Sequence, residues 1–332
     1  MDPNQNSSNT SLGSSSSSAR PHDKGERLML AFVTSVPCGL FFFVNGCILS
    51  VLRSKPQFSQ CPRYVLLFNL VFADTVLMAQ GQMMYLLATY QVWISYPLCI
   101  FLNTVCFVSD QISPYTLIFM SLERCVAVCF PFRHSTVVTL RNTHFVIMLT
   151  WAVSTADVLV RVILLMEFPF HLLPDLQMRH FCSTFIIQIS PKAQLYHTLY
   201  TYFLFTLSAV VISSSFVAVM VVACLASDDK AQAEKTRNTL LLHMFQLGLN
   251  LLSVMNMHLF VVVSMCCNAG VSTRLLILVY VCVVLMPRCL SALTYGLRDP
   301  TLRPALGAHV CCGLRLRAGR LQLKGRVVVT RH

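Results

Sequence analysis

Five aspartate and arginine side chains lie inside long apolar stretches of the sequence: Asp74, Asp110, Asp157, Arg161 and Arg288. A charged group at membrane depth costs several kcal/mol unless it is paired or hydrated, so each is a candidate for an ion pair or a binding site. Asp157 and Arg161 are four residues apart, which places them on one helix face as a pair that neutralises itself. We interpret that pair as structural, and the other three charges as candidates for function.

A second group of reactive residues combines Glu123, Arg124 and Cys125 at one end of an apolar stretch with Cys99 near its other end. If the stretch is one helix, the interval from Cys99 to Arg124 is a little under about 40 Å, at about 1.5 Å per residue. This length matches a hydrocarbon core of roughly 30 Å plus part of each interface. We therefore expect the cysteine at one membrane face and the acid–base pair at the other.

Composition predicts that membrane helices position these residues. Hydrophobic residues make up 55% of the chain and charged residues 11%, and one soluble domain of this length could not bury so much apolar surface. Seven stretches reach the roughly 20 residues that a spanning helix needs, or six if the serines at 213–215 make the fifth stretch interfacial. The expected fold class is an all-α membrane protein, a seven-transmembrane helix bundle. The stretches cover residues 28–52, 64–90, 99–123, 143–166, 196–225, 239–263 and 274–297.

Lys and Arg are distributed unequally between the two sides of this bundle. With the amino terminus outside, the inner loops and the tail hold about three times as many of them as the outer segments, and the positive-inside bias favours that orientation. The net charge of +12 then lies mainly where it meets anionic lipid. We therefore expect membrane lipid as a partner and no nucleic acid.

The expected domain organisation has three parts. Residues 1–27 are polar and serine-rich and are predicted to form a disordered, glycosylated extracellular tail. Residues 28–297 form the seven-helix transmembrane domain, whose first helix acts as its own signal anchor because no cleavable signal peptide precedes it. Residues 298–332 are expected to form a short amphipathic segment followed by a basic cytoplasmic tail.

Two kinds of modification are predicted in the terminal segments. Asn6 and Asn9 each begin a glycosylation sequon, Asn-x-Ser/Thr, on the expected outer side. Cys311 and Cys312 follow the amphipathic segment after the last span, where palmitoylation would anchor that segment to the membrane. A chance pair of cysteines is the alternative.

Three motifs, in order along the chain, carry a resemblance to a known family. Residues 120–134, Met-Ser-Leu-Glu-Arg-Cys-Val-Ala-Val-Cys-Phe-Pro-Phe-Arg-His, are close to the odorant receptors' Met-Ala-x-Asp/Glu-Arg-Tyr-x-Ala-Ile-Cys-x-Pro-Leu-x-Tyr/His. Lys235, Thr239 and His243 keep that family's Lys-x3-Thr-x3-His spacing, and residues 295–299, Tyr-Gly-Leu-Arg-Asp, are similar to its Tyr-Ser-Leu-Arg-Asn. The chain therefore resembles rhodopsin-like (class A) G-protein-coupled receptors and, among them, fish-type odorant receptors.

The resemblance covers residues 28–310 and has clear departures. The triplet that usually ends in an aromatic residue ends here in Cys125. Where the class has Asn-Pro-x-x-Tyr, residues 291–295 read Ser-Ala-Leu-Thr-Tyr, and a proline is displaced to Pro287, beside the charged Arg288. These differences place the chain in a divergent, fish-like branch.

The resemblance implies an odorant receptor, not an enzyme, that sits in the plasma membrane, uses no cofactor or metal, binds a small odorant within the bundle and activates a heterotrimeric G protein. A rhodopsin-like receptor for another small ligand is the alternative, and a seven-helix transporter is disfavoured because the chain shows no internal repeat. In the resting state Glu123 is expected to hold Arg124, which activation releases. The other residues implied in switching and G-protein coupling are Lys235, Thr239, His243 and Tyr295.

One disulfide is expected among the 15 cysteines. Most of them lie in spans or on the cytoplasmic side, where they should stay reduced. Cys99, Cys182, Cys266 and Cys267 are the candidates for the oxidising side, and a bond between Cys99 and Cys182 agrees with the receptor class, which ties the third helix to the second outer loop. Two free thiols are the alternative.

An intramembrane polar network is implied by the receptor class and by the departures from it. Asn45 and Asp74 match polar residues that the class carries in its first and second helices, and Asp74 matches the carboxylate that often binds sodium. We expect Arg288 to pair with Asp74 in place of sodium, with Ser291 as a further member of the network. Asp110 would then be left to bind a cationic odorant, whereas the alternative is that Arg288 pairs with Asp110 or faces water.

The ligand pocket is expected in the outer half of the bundle, since Asp110 is about 21 Å from the Arg124 end of its helix. The pocket should be mostly apolar, which suits small, sparingly soluble ligands. The candidate lining residues are Cys106, Phe107, Asp110, Gln111, Tyr202, Phe205, Val254, Met255, His258 and Tyr280.

Overall fold

The computed structural model describes residues 21–90, 92, 94–167, 182, 190–225, 244–245, 247–266, 269–298 and 301–307. Helices make up nearly all of this part of the chain. They are α1 (Pro21–Ser54), α2 (Pro56–Ser59), α3 (Pro62–Thr89), α4 (Tyr96–Cys129), α5 (Pro131–Val137), α6 (Leu140–Met166), α7 (Pro191–Leu225), α8 (Leu247–Val254), α9 (Asn256–Cys266), α10 (Ala269–Val279) and α11 (Met286–Arg298). A π-helical turn, Tyr280–Leu285, joins α10 to α11, and a last short helix covers 302–307.

Membrane-spanning helices dominate the described residues. Six helical segments are long and apolar enough to cross a bilayer, and α8 with α9 makes a seventh span if this pair, bent by 69°, counts as one. The all-α membrane fold predicted from composition is therefore confirmed. The first helix begins at Pro21, several residues before the expected end of the amino-terminal tail, although its membrane-spanning part begins at Leu28.

Local sequence explains where several helices begin. Proline occupies one of the first two positions of α2, α3, α4 and α5, where its missing N–H leaves no hydrogen bond unmade and its fixed backbone angle suits a helix. Helix α6 is capped instead by Thr139, whose hydroxyl accepts a hydrogen bond from the backbone N–H of Asn142 at 3.2 Å. These residues mark where both the short and the long helices begin.

Two of the long helical segments are interrupted near the middle of the bundle. At Met255 the backbone N–H bonds to Leu252 O at 3.0 Å, a tightened turn at the bend between α8 and α9. The π-helical turn before α11 ends two residues before Pro287, which lacks a backbone N–H and could not complete a regular ladder. Both interruptions lie beside the cavity described below.

Helix α4 is at the centre of the bundle and packs against α3, α6 and α7. The largest buried core lies toward its Arg124 end and includes Ile48, Leu70 and Leu117, together with Leu302 from the last short helix. That helix follows the last span, where the sequence predicts an amphipathic segment. Large apolar side chains on the outer faces remain exposed, as lipid-facing residues do, for example Phe32, Phe101, Phe145 and Phe203.

Candidate functional site

A cavity of about 390 Å³ lies within the bundle between α3, α4, α6, α7, α8, α9 and the π-helical turn. Its walls are mostly apolar, with a few polar groups that converge on it. Six of the ten candidate lining residues are placed on it: Cys106, Phe107, Asp110, Gln111, Val254 and Tyr280. The expectation of a mainly apolar pocket beside Asp110 therefore agrees with the geometry.

The other four candidates do not line the cavity. Tyr202 is half-exposed on the outside of α7, and Phe205, one turn further on, is partly exposed as well. Met255 lies at the turn between α8 and α9. His258 stacks on His197, with ring centroids 6.1 Å apart, so His197 takes the place at the cavity wall that the sequence analysis gave to His258.

Arg288 is the centre of three buried charges, which we call the Arg288 triad: Asp74, Asp110 and Arg288. Its Nη1 donates to Asp74 Oδ1 at 2.7 Å and its Nη2 donates to Asp110 Oδ1 at 3.0 Å. Ser113 also donates its hydroxyl to Asp74 Oδ1, at 2.5 Å. Because the three charges come from α3, α4 and α11, the guanidinium ties three helices together.

The triad corrects one expectation. Arg288 was expected to pair with Asp74 and to leave Asp110 unpaired, or else to pair with Asp110, but one guanidinium binds both carboxylates at once. A guanidinium has five N–H donors in a planar fork, so it can serve two acceptors on different helices. Asp110 nevertheless differs from its partners, because its side chain is 28% exposed whereas those of Arg288 and Asp74 are 3% and 6% exposed.

A second set of buried charges, the Arg161 cluster, lies beside the same cavity and joins α4, α6 and α7. Arg161 Nε donates to Asp157 Oδ2 at 2.6 Å within α6. Gln111 of α4 donates to the same oxygen at 2.5 Å, and Tyr196 of α7 donates to Asp157 Oδ1 at 2.9 Å. The expected ion pair is present, but its interpretation as purely structural is too narrow, because Arg161 also lines the cavity.

His197 of α7 completes the Arg161 cluster and is neutral. Its Nδ1 lies 2.5 Å from Arg161 Nη1. Since arginine nitrogens only donate, Nδ1 must accept and therefore carries no proton. The guanidinium also lies 5.2 to 5.5 Å from the ring centroids of Phe107, Tyr196 and Tyr200, a cation–π arrangement. The cluster thus holds its single pair of opposite charges inside an aromatic shell.

Asn45 and Ser291 form hydrogen bonds beside the triad. Asn45 is fully buried and donates to Thr75 at 2.9 Å, which joins α1 to α3 next to Asp74. Ser291 accepts from Asn250 at 2.5 Å and donates to the backbone oxygen of Pro287 at 2.9 Å, which joins α8 to α11. Both residues therefore fix helices that carry the triad, and in the described part of the chain neither bonds to its charged groups.

The disulfide between Cys99 and Cys182 is present, as predicted, with Cα atoms 5.7 Å apart. It holds Cys182 at the cavity wall. Asn103, one turn along α4, donates to the backbone oxygen of Cys99 at 2.9 Å and lines the same wall. Cys99 also packs with Val158 and Leu165 of α6, so the bond belongs to the side of the bundle that holds the Arg161 cluster.

At the other end of α4, Glu123 lies 3.6 Å from His134 Nε2 on α5. Arg124 lines a small cavity of about 40 Å³ between α4, α7 and the segment that leads into α8, with Ser215 and Met244. Tyr295 lies on α11. The candidates outside the described residues are Asn6, Asn9, Lys235, Thr239, His243, Cys311 and Cys312.

Several residues that shape the cavity were not predicted from the sequence, among them His197, Tyr200 and Gly81. His197 and Tyr200 line its α7 wall, and Tyr200 donates to Gln111 at 3.0 Å. Gly81 of α3 leaves room for the hydroxyl of Tyr280, which would lie 3.0 Å from a Cβ at that position. The one signal for the α7 residues was the run Tyr196-His197-x-x-Tyr200, three polar aromatics on adjacent helix positions in an otherwise apolar span.

Comparison with known proteins agrees with this geometry. Residues 44–294 match the 7 transmembrane receptor (rhodopsin family), so the chain belongs to that family of membrane receptors, which are not enzymes. It is also similar to Odorant receptor 131-2 of Danio rerio, with 28% identity over 316 residues that cover 92% of each chain. The match extends beyond the spans to nearly the whole length of both proteins.

Proposed function

We propose that the protein is an odorant receptor of the plasma membrane, in which a small odorant binds the central cavity and a heterotrimeric G protein is activated at the Arg124 end. The cavity within a rhodopsin-family bundle is the observation that carries this proposal. The similarity to a fish odorant receptor over 92% of the chain supports the ligand class. The amino terminus is taken to be outside, as the distribution of Lys and Arg favours.

The size and lining of the cavity suit a small molecule. Its volume of about 390 Å³ lies in the lower part of the roughly 300 to 1,000 Å³ usual for small-molecule sites. Apolar side chains from α3, α7 and the π-helical turn cover much of its wall, including Leu77, Leu204 and Val284. A compact, partly apolar ligand would fill this space, whereas a peptide would not fit inside it.

Transmission to the G protein is proposed to follow a two-state shift. Ligand binding favours the state in which Arg124 turns toward the G protein, while the helical segment that carries Lys235, Thr239 and His243 moves outward. The bend of 69° between α8 and α9 lies at the cavity, on the same stretch of chain as that segment. We propose that ligand binding at the cavity wall changes this bend and so moves the segment. Glu123 is proposed to favour the resting state.

A cAMP assay in heterologous cells, run against a panel of odorants that includes amines and amino acids, tests this proposal. Arg124→Ala should abolish the response while surface expression remains largely intact. Arg141→Ala, an exposed arginine at the start of α6, is the matched control and should signal normally. Full signalling by Arg124→Ala at equal surface levels would contradict the proposed coupling.

The predicted modifications fit the same topology and are proposed with it. Glycans on Asn6 and Asn9 require an outer amino terminus, and palmitoyl groups on Cys311 and Cys312 require a cytoplasmic tail. Enzymatic removal of N-linked glycans should therefore increase the mobility of the wild-type chain on a gel. It should leave the mobility of a chain that carries Asn6→Gln and Asn9→Gln unchanged.

A further inference from the structure

The formal charges around the cavity do not balance. Asp157 and Arg161 neutralise each other, and His197 beside them is neutral because its Nδ1 accepts from the guanidinium. In the Arg288 triad two carboxylates share one guanidinium. Among the described charges that border the cavity, one negative charge is therefore left without a counter-charge.

Asp110 is the group through which this excess charge reaches the cavity. Asp74 is bonded to both Arg288 and Ser113 and is almost fully buried. Asp110 lines the cavity, and among the side chains that the structure describes only Arg288 bonds to it, through Oδ1. Its Oδ2 is thus left to accept a hydrogen bond from whatever fills the cavity.

The other polar groups that the structure describes in the cavity wall add no positive charge that is free to bind an anion. The hydroxyl of Tyr280 is buried and has no hydrogen-bond partner within the described part of the chain. A hydroxyl both donates and accepts hydrogen bonds, so this group does not favour one ligand charge over another. Among the described residues of the cavity wall, the only guanidinium is that of Arg161, which is 3% exposed and already serves Asp157 and His197, so it offers little to an anion.

We infer that the cavity is a site for a small organic cation, such as an alkylamine, whose ammonium group binds Asp110 and whose apolar part fills the remaining space. This inference rests on the proposed function and adds the charge of the ligand. A charged hydrogen bond of this kind contributes about 1.5 to 3 kcal/mol, which corresponds to a preference of about 10-fold to 100-fold over a neutral molecule of the same shape.

Thermal unfolding of the purified, detergent-solubilised receptor tests the inference directly. The probes are an n-alkylamine, the alcohol and the carboxylic acid of the same chain length, and NaCl against KCl at equal ionic strength. We expect the amine to raise the unfolding midpoint at a concentration at least about 10-fold lower than the alcohol, and the acid to have the weakest effect. Equal effects of amine and alcohol, no effect of the amine, or stabilisation by sodium alone would overturn the inference.

Variants separate the role of Asp110 from general stability. Asp110→Asn should abolish the preference for amine over alcohol, whereas Asp110→Glu, which keeps the charge, should retain most of it. Glu167→Gln makes the same change from carboxylate to amide in an exposed ion pair with Lys192 and should leave the preference unchanged. If Asp110→Asn fails to fold, Asp110→Glu is compared with the wild type instead. Because Asp110→Glu keeps the negative charge, loss of its preference for amine over alcohol would contradict the assignment of Asp110 as the cation-binding group.

The cAMP assay distinguishes this inference from the proposed function. A receptor that responds to neutral odorants and shows no preference for amines remains an odorant receptor, and only the inference about charge is lost. A receptor that binds amines when purified but never raises or lowers cAMP in cells keeps its cation site and loses the proposed signalling role. The two failures therefore give different results.

Discussion

The two sets of buried charges beside the cavity use the same side chains in opposite ways. In the Arg161 cluster, one carboxylate and one guanidinium lie four residues apart on α6, and neighbours on α4 and α7 fill the remaining hydrogen-bonding positions. In the Arg288 triad, one guanidinium joins carboxylates from two other helices and leaves an excess negative charge. A pair within one helix can be neutral and self-contained, whereas a group assembled between helices both depends on the fold and can leave a charge for a ligand.

The largest effect is expected from Arg288→Met. The substitution leaves two buried carboxylates without their counter-charge. Loss of one partner of a buried pair typically lowers the free energy of unfolding by about 3 to 5 kcal/mol, and we expect a loss near the upper end of that range. Surface delivery, measured by flow cytometry with an epitope tag, should fall close to background. Arg288→Lys, which keeps the charge but not the fork of donors, should be intermediate. Normal delivery of Arg288→Met would show that the triad is not needed for folding.

Removal of the disulfide disturbs the side of the bundle that holds the Arg161 cluster and leaves the residues of the Arg288 triad unchanged. The two cysteines are 83 residues apart in the sequence. In the chain-entropy model, a bond that closes a loop of this length contributes about 4 kcal/mol to the free energy of unfolding. Cys99→Ser and Cys182→Ser should reduce surface delivery to a similar degree, and the double variant should be little worse than either single variant. Cys106→Ser, a free cysteine on the same helix, is the control. Single effects that simply add would contradict a bond between the two residues.

Arg161→Met should have a smaller effect than Arg288→Met, because Asp157 keeps its hydrogen bonds from Gln111 and Tyr196. We expect a loss of about 3 kcal/mol, at the lower end of the range for a broken buried pair. The measurement is the thermal unfolding midpoint in detergent, compared between the two variants. A larger loss for Arg161→Met than for Arg288→Met would reverse the comparison between the two regions.

The smallest expected effects come from removing one hydroxyl on each side of the cavity. Tyr200 is bonded to Gln111 at 3.0 Å and to Tyr115 at 2.9 Å, so Tyr200→Phe should cost about 1 kcal/mol or slightly more. Tyr280→Phe removes a hydroxyl that has no partner among the described residues and should leave the unfolding midpoint unchanged or slightly raised. Equal losses for the two variants would show that Tyr280 has a partner in the folded protein.

The sequence allowed the helical fold, the disulfide and the pair of Asp157 and Arg161 to be predicted, because each follows from local spacing, from composition or from the family resemblance. The sharing of Arg288 between Asp74 and Asp110 could not be predicted in the same way. Depth along each helix indicated that both carboxylates were within reach, but rotation about the helix axes is set by packing. The π-helical turn at Tyr280–Leu285 directly precedes α11 and so bears on the orientation of Arg288, and the sequence did not predict it.

The residues of the cavity wall could also be predicted only in part, for the same reason. Residues on α4 were placed correctly, since one helix with a known register fixes Cys106, Phe107, Asp110 and Gln111 together. On α7 the predicted lining residues were Tyr202 and Phe205, whereas the cavity is lined by other residues of that helix, among them His197, Tyr200 and Leu204. Apart from the run of Tyr196, His197 and Tyr200, this span carries little face pattern from which its orientation could be inferred, so an error of about a third of a turn moved the predicted face toward the outside of the bundle.

The most direct test of the shared triad is a rescue experiment on Arg288→Met. Surface delivery is measured for this variant alone, with Asp74→Asn, with Asp110→Asn, and with both changes together. Because the guanidinium neutralises both carboxylates, each single change should rescue delivery in part, and the triple variant should recover most of it. Full rescue by one of the two changes and none by the other would contradict the shared triad and show that Arg288 pairs with that single carboxylate.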